Sequence, residues 1–493
     1  MDVLPYKDSR MSWTSTIFFS LHIFVIIVLV IRIIRARKPV GTSLAWIFVI
    51  ALLPYFGPIC YLLFGEVTLG RRVLKRSDKR FKLLLDRLDE LSKNNLDTLQ
   101  RLDPAAKPVA NFLINGTNLP LLPGNHLDLI SDSLQFFDKL ILDIKKSETF
   151  CHLLFYIWAP GGRADDLGEA LIETARRGVK CRVLLDAVGS RPFLKSRLCK
   201  TMREAGVEIV AALDVGPIRM WFKRIDIRNH RKIAVIDNKI AYTGSQNIAD
   251  PRTFKASSKV GQWVDAAVTV RGPAVDALNL VFLHDWAFET NQSLENVVET
   301  KEPHTVQPPA GSVVTHIVPS GPSQPSDVIL EILISLVYAA NKELIITTPY
   351  LVPTDTFTSA LTTAALSGTK VTIVVPEKVD SWAVKLASQA CYHQLLQAGV
   401  HIKSYQGGLL HSKTVTVDDN IALIGSVNMD MRSFYLNYEI SVFAYDKEFT
   451  NEVKQLQKSY LERSRDLHAS EFENLSPLKS FAVDTVRLLG PLL

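Results

Sequence analysis

No Cys-x-x-Cys pair occurs in this chain of 493 residues, and its five cysteines (Cys60, Cys151, Cys181, Cys199, Cys391) are scattered. That scatter counts against a zinc site or a disulfide framework and fits buried free thiols in a reducing compartment. Carboxylate–histidine sets at metal-ligand spacing are also missing, so no metal is expected. With 47% hydrophobic and 22% charged residues, the bulk is globular and not disordered. The body of the chain has no basic surplus. Residues 1–82 hold thirteen Lys/Arg against four Asp/Glu, whereas the remainder holds 43 against 46. A nuclease would more often carry its positive charge on its catalytic body, so a nucleic-acid partner is not expected. Here the surplus lies beside apolar segments, where it would attract an anionic membrane surface.

Two apolar runs open the chain. Thr16 to Ile31 is almost unbroken and is followed by Arg32, Arg35, Arg37 and Lys38. Thr42 to Phe64 is interrupted by Pro54, Gly57 and Pro58. Each approaches the roughly 20 residues that cross a bilayer, so membrane segments are expected at about 13–34 and 42–64. A cleaved signal peptide is disfavoured: no small-residue cleavage site follows, and a second run comes at once. A larger basic cluster (Arg71, Arg72, Lys75, Arg76, Lys79, Arg80, Lys82) follows the second run. Under the positive-inside tendency it places the following domains in the cytoplasm of a multi-pass protein. Alternatively the proline-broken run is re-entrant, leaving both basic clusters on one side. His22, inside the first run, is expected near other protein or an interface.

Beyond residue 66 the pattern reads as a basic, amphipathic connector over 67–110, an α/β block over 111–300, a Pro/Ser/Thr/Gly-rich linker over 301–325 and a second α/β block over 326–493. The apolar tail from Val486 to Leu493 is expected to pack on the second block. Each block orders its elements alike. An apolar strand (Leu153–Ile157, Leu344–Thr348) precedes a helical segment, and a second strand follows (Cys181–Leu185, Val371–Val375). The fold class is therefore α/β, with a parallel or mixed sheet covered by helices and two copies facing one another.

One set of residues is written twice. The first copy is His230, Lys232, Asp237, Gly244, Ser245 and Asn247; the second is His411, Lys413, Asp418, Gly425, Ser426 and Asn428. The spacing is identical in both, and folding alone rarely demands six special residues at one spacing twice. The segments Arg231–Ile236 and Ser412–Val417 read as strands, on which residues two apart share a face. Each His and Lys would then project together, with the Gly-Ser turn bringing back a hydroxyl and an Asn amide. Two imidazoles, two ammonium groups, two hydroxyls and two amides form an anion site with a nucleophile and a proton donor built in.

Phosphoryl transfer at a phosphodiester fits that set. One histidine attacks phosphorus and forms a covalent phosphoenzyme; the other protonates the leaving alkoxide, then deprotonates the acceptor. His230, Lys232, His411 and Lys413 are the catalytic candidates, with Ser245, Asn247, Ser426 and Asn428 binding phosphate oxygens. Neither cofactor nor metal is needed, because the protein supplies the cations. A neutral histidine nucleophile needs an acceptor on its second ring nitrogen, and Asp265 and Glu439 are proposed as orienting carboxylates. Asp237 and Asp418 complete the motif and are counted with the catalytic set, although by residue type they read as caps of the turn after each strand.

At these residues the chain resembles the phospholipase D superfamily, whose signature is His-x-Lys-x4-Asp with downstream Gly-Ser and Asn. Within it, Arg228-Asn229-His230-Arg231-Lys232, Asp186-Ala187-Val188-Gly189-Ser190, Thr348 to Pro353, Leu53 to Pro58 and Arg487 to Leu493 resemble bacterial cardiolipin synthases. The resemblance implies two duplicated phospholipase D-like α/β domains with the active site at their interface, preceded by N-terminal transmembrane helices in a bacterial inner membrane. It also implies a reaction: two phosphatidylglycerol molecules give cardiolipin and glycerol through a phosphohistidine, with His230 as nucleophile and His411 as acid/base. A phospholipase D-type hydrolase, with water as acceptor, is the alternative. A phosphodiesterase or nuclease is disfavoured by the membrane runs and the slightly acidic body, and a scaffold with a dead site by the two intact motifs.

Overall fold

The computed structural model describes residues 13–36, 40–65, 83–88, 95–214, 226–258, 260–297, 307–322, 328–473, 476, 483, 485 and 486. The basic cluster over 71–82 and most of the C-terminal tail lie outside them. The chain divides into two units, one formed by Met1–Leu74 with Val215–Ile225, the other by Lys75–Asp214 with Asp226–Leu493.

In the first unit the leading apolar run is one helix, Trp13–Arg35, of 23 residues. At the α-helical rise that is roughly 34 Å, enough to cross a bilayer core. Over Ile17–Arg35 the mean hydropathy is 2.9, and only 11% of the segment is buried by protein. The second run is not one helix. It forms Val40–Leu52, breaks at Leu53–Tyr55 and resumes as Phe56–Cys60 with a π-helical turn at Tyr61–Gly65. Pro54 accounts for the break, since it has no N–H and its ring clashes with the preceding turn. Leu29, Ile33, Ile50 and Tyr61 pack into a small core between these helices. His22 stacks near the Tyr55 ring, centroids 4.6 Å apart, so it does lie against protein.

The second unit is built on one mixed sheet of fifteen strands. In chain order these are β1 (Leu122–Ile130), β2 (Phe150–Phe155), β3 (Lys180–Asp186), β4 (Glu208–Ala212), β5 (Ile233–Ile236), β6 (Ile240–Gly244), β7 (Ala267–Arg271) and β8 (Val313–Ser320). They continue as β9 (Glu343–Thr347), β10 (Lys370–Pro376), β11 (His401–Tyr405), β12 (Thr414–Val417), β13 (Ile421–Gly425), β14 (Glu439–Tyr445) and β15 (Ser464–Asp466). Outward from the antiparallel β1–β8 pair, one half reads β1-β7-β6-β5-β2-β3-β4 and the other β8-β14-β13-β12-β9-β10-β11, with β15 added at the edge. The sequence repeat is thus a pseudo-twofold in one continuous sheet. β2-β3-β4 and β9-β10-β11 are parallel, and the strand after each histidine pairs antiparallel to β2 or β9.

Side-chain alternation explains the layers. In β5, Ile233 and Val235 join the core on one face, Ala234 and Ile236 that on the other. Helices Ser133–Lys146 and Arg163–Arg176 cover the second of these faces. Helix Ala274–Glu289 covers the first, and in the other half helix Lys447–Glu462 lies on the same face, where Gln457 bonds Thr414 and Thr416 of β12.

The structure corrects two boundaries. The expected linker 301–325 contains β8, an eight-residue strand at the centre of the sheet. Pro319 and the flanking Gly and Ser residues disguised it, because proline is rare in a central strand. The end of the expected connector is core as well. Helix Lys107–Thr117 buries Val109, Ala110 and Leu113. Val486, at the start of the tail, packs on Val352 and Ala387, as the packing expectation required.

Candidate active site

His230 and His411 each sit just before a strand, not within one: β5 begins at Ile233 and β12 at Thr414. Both are held from the opposite half. The His230 N–H donates to the Tyr438 carbonyl (2.8 Å), and the His411 N–H donates to the Val264 carbonyl (2.8 Å). Tyr438 and Val264 immediately precede Glu439 and Asp265. The clip therefore brings each imidazole to the other copy's carboxylate. His230 Nδ1 lies 2.8 and 3.0 Å from the Glu439 oxygens, and His411 Nδ1 lies 2.6 Å from Asp265 Oδ1.

An ionised carboxylate can only accept, so each Nδ1 carries the proton and each Nε2 keeps a lone pair. Burial lowers the pKa of both imidazoles to about 4, against the pull of the facing carboxylate; at His411 the Lys413 charge acts with burial. Burial opposes the charge of Glu439, yet His230, Lys232 and Ser426 hold its carboxyl below the usual value. Asp265 is held down in the same way by His411, Lys413 and Ser245. The resting arrangement is thus neutral imidazole on ionised carboxylate, twice.

The lysines lie beneath. Lys232 and Lys413 are each 1% exposed, and each Nζ donates to the carbonyl of its own histidine, at 2.6 and 2.5 Å. One of three ammonium donors is so used. Burial pushes Lys232 down to about 7 and Lys413 to about 8.

The serines do something other than expected. Ser245 Oγ donates to Asp265 Oδ1 (2.6 Å) and Ser426 Oγ to Glu439 Oε2, while each accepts a backbone N–H, from Ala266 and Ile440. Both are fully buried, and a hydroxyl has one proton to give. They hold the carboxylates, and neither is among the residues lining the cavity onto which the histidines open. The glycines before them are explained by the same approach. A Cβ at Gly244 would lie 2.5 Å from the Ala266 carbonyl oxygen, and one at Gly425 2.4 Å from that of Ile440. The asparagines do reach the cavity. Asn247 Oδ1 accepts the Ile157 N–H (3.1 Å), which leaves its Nδ2 without a partner.

Asp237 and Asp418 are placed away from this chemistry, which corrects their inclusion in the catalytic set. They lie in turns at the far ends of β5 and β12, with φ of 53° and 47°. Asp237 accepts backbone N–H groups of Glu148, Thr149 and Phe150, and Asp418 those of Asn341, Lys342 and Glu343. Each ties a motif strand to the start of its neighbour. Asp237→Ala is accordingly expected to lower unfolding free energy by about 2 kcal/mol while leaving kcat of the folded enzyme within about twofold, as read by urea titration beside an activity assay.

The histidines open on a cavity of about 370 Å³, also lined by Tyr156, Asn247, Asn428, Lys255, Trp263, Tyr350, Asp380, Arg228 and Arg432. Aromatic rings flank the imidazoles, Tyr156 at 5.0 Å from His230 and Trp263 at 4.4 Å from His411. Sequence reasoning missed these residues. The signal for Trp263 was its place two positions before Asp265, matching Asn437 before Glu439. Lys255 Nζ bonds Asp380 (2.8 Å), which also accepts the Tyr350 hydroxyl (2.9 Å), joining the halves at the cavity wall. Arg231 was missed too. It is buried, pairs with Asp285 (2.6 and 2.7 Å) and donates to the carbonyls of Glu439 and Ser320. It thereby fixes the strand that presents Glu439.

Comparison with known proteins bears on this geometry. A family profile described as cardiolipin synthase, PLD-like domain, matches residues 140–286 and 333–460, and one described as phospholipase D-nuclease N-terminal matches 24–66. Cardiolipin synthase A of Erwinia tasmaniensis is 39% identical over 450 residues, covering 90% of this chain and 91% of the relative. Cardiolipin synthase A of Yersinia pseudotuberculosis is 40% identical over 456 residues, covering 91% and 92%. Among solved structures, phosphatidylserine synthase of Haemophilus influenzae superposes with a TM-score of 0.59 at 17% identity, over 79% of this chain and all of that one. That last likeness concerns the fold alone.

Proposed function

Because this chain belongs to the cardiolipin synthases, membrane phosphatidyltransferases built on the phospholipase D-like fold, we propose that its two halves complete a single active site that passes a phosphatidyl group between two phosphatidylglycerol molecules through a phosphohistidine. One observation carries this reading: each imidazole is oriented by the other half's carboxylate, so neither half is complete alone. The phosphodiester lies between the two Nε2 atoms. One Nε2 bonds to phosphorus and glycerol leaves, taking its proton from the other imidazole. The terminal hydroxyl of a second phosphatidylglycerol then gives its proton to that imidazole, its oxygen bonds to phosphorus, and the P–N bond breaks. Lys232, Lys413 and Asn247 supply donors to the non-bridging oxygens. His230 is assigned as nucleophile on the superfamily resemblance. Two phospholipase D-like domains are proposed to span roughly the two halves of the sheet, with the basic N-terminal region on an anionic cytoplasmic surface of a bacterial inner membrane.

The deciding experiment is purified enzyme with phosphatidylglycerol in detergent micelles. Glycerol released in step with cardiolipin supports the transferase. Phosphatidic acid as main product would reassign the acceptor to water.

Substrate binding is expected to bring a proton with it. The acid step needs one charged imidazole, yet both are neutral above about pH 4 in the free site. An anion in the cavity offsets the burial that holds them neutral, so an imidazole pKa rises on binding. At pH 6 both lysines are already ammonium, being below about 7 and about 8, so the proton goes to histidine. Calorimetric titration with dimethyl phosphate in two buffers of different ionisation enthalpy should show uptake of roughly one proton. Zero uptake or release would remove this account of the acid step.

A further inference from the structure

The doubled residues account for one phosphodiester, but this reaction brings two into the same cavity. What is doubled serves the phosphorus that reacts. What is not doubled can serve the partner of which there is one in the second step, the acceptor. The offset that relates His230 to His411 and Asn247 to Asn428 relates Arg228 to Leu409 and Arg432 to Pro251. Two guanidinium groups therefore break the pseudo-twofold, and both line the histidine cavity.

Neither is fully used by the fold: Arg228 makes one long ion pair with Asp186 and Arg432 one backbone hydrogen bond. Arg228 is 9% exposed, and its Nη1 lies 3.8 Å from Asp186, beyond hydrogen-bond reach, with no hydrogen-bond partner. Asp186 is itself occupied by the backbone N–H groups of Val188, Gly189 and Asn229. Arg432 donates from Nη2 to the Asp226 carbonyl (2.6 Å), and its other nitrogens make no hydrogen bond to a described residue. Arg228 is buried and Arg432 half-buried, and a guanidinium with donors to spare is suited to a phosphate, whose oxygens match its planar fork. Asp430 lies on the same cavity wall, and burial raises the pKa of its carboxyl.

We propose that Arg228 and Arg432 form a second phosphodiester site, which holds the phosphate of the acceptor lipid while the histidine pair holds the phosphate that reacts. The proposal rests on the transferase reading above. One glycerol separates the acceptor's phosphate from its terminal hydroxyl, so a phosphate anchored there presents that hydroxyl to the imidazoles. A cavity of about 370 Å³ accommodates headgroups and leaves the acyl chains outside. The site selects against water because water has no phosphate with which to use it.

The test offers two acceptors at once. Purified full-length enzyme in mixed micelles receives phosphatidylglycerol with ethanol as an uncharged competing acceptor, and the ratio of cardiolipin to phosphatidylethanol is read. In Arg228→Ala and Arg432→Ala that ratio is expected to fall about tenfold or more, because ethanol never used the site. An unchanged ratio, or equal loss of both products, would overturn the proposal; equal loss is also what a bystander anionic lipid at this site would give. Phosphatidylethanol formed by a variant shows that it is folded. If an alanine variant forms neither product, Arg228→Lys and Arg432→Lys are read instead, and there too an unchanged ratio overturns the idea. If the unaltered enzyme makes phosphatidylethanol but no cardiolipin, the transferase reading fails and the acceptor site falls with it, whereas a change confined to the variants speaks to the arginines alone.

Discussion

His230→Ala and His411→Ala are each expected to lower cardiolipin synthesis by about four orders of magnitude or more. The two losses differ in kind. Removing the nucleophile prevents the phosphatidyl-enzyme from forming. Removing the acid/base histidine slows both steps but leaves the attacking nitrogen, so a labelled lipid can be trapped on the protein when its leaving group needs little protonation. With His230 as nucleophile, His411→Ala retains label and His230→Ala does not. The reverse pattern would exchange the roles, and label on neither would remove the covalent step. Both Nε2 atoms are unprotonated and open on the same cavity, so geometry permits either order.

Glu439→Gln and Asp265→Asn should each cost about three to four orders of magnitude, the scale seen when an orienting carboxylate beside a catalytic histidine becomes an amide. An amide cannot accept on both heads, and Glu439 accepts from His230, Ser426 and Ser433 together. The replacement loses the charge that stabilises an imidazolium and frees the ring to turn. The exchange of carboxylates makes the pattern diagnostic. Glu439→Gln should copy the trapping behaviour of His230→Ala, although it lies in the half that contains His411. Asp265→Asn should copy His411→Ala. Single-turnover labelling of the four variants decides the matter: if each carboxylate variant instead copies the histidine of its own half, the crossed hydrogen bonds do not operate in the working enzyme.

Much of the site was legible because its chemistry imposes identity at fixed spacing. His230, Lys232 and Asn247 had no structural reason to recur at the same intervals as His411, Lys413 and Asn428. Asp265 and Glu439 stood out only as acids in apolar strands, at different distances from their motifs (35 residues after His230, 28 after His411). Nothing in one dimension could pair them with the opposite histidine. Ser245 and Ser426 were placed near the phosphate because a hydroxyl beside a catalytic set reads that way; their burial against a carboxylate is a property of two strands brought together. Asp237 and Asp418 belong to the motif by spacing yet serve turns, since a strand carries its two ends far apart. β8 was misread as linker because Pro319 is a local signal against a strand, overridden by pairing on both sides with β14 and β1.

By itself, the sequence determined the duplication, the reacting residue types, the α/β layering and an apolar N-terminus suited to lipid. Those follow from local rules: spacing, side-chain alternation and hydropathy are carried along the chain. The tertiary structure alone decided that the halves share one sheet, that each histidine is held by the other half's carboxylate, and that Arg228 and Arg432 face the common cavity. Those are contacts between residues up to 209 positions apart, as between His230 and Glu439. They arise when the β1–β8 pairing closes the pseudo-twofold and sets the two motifs face to face, which no local pattern encodes.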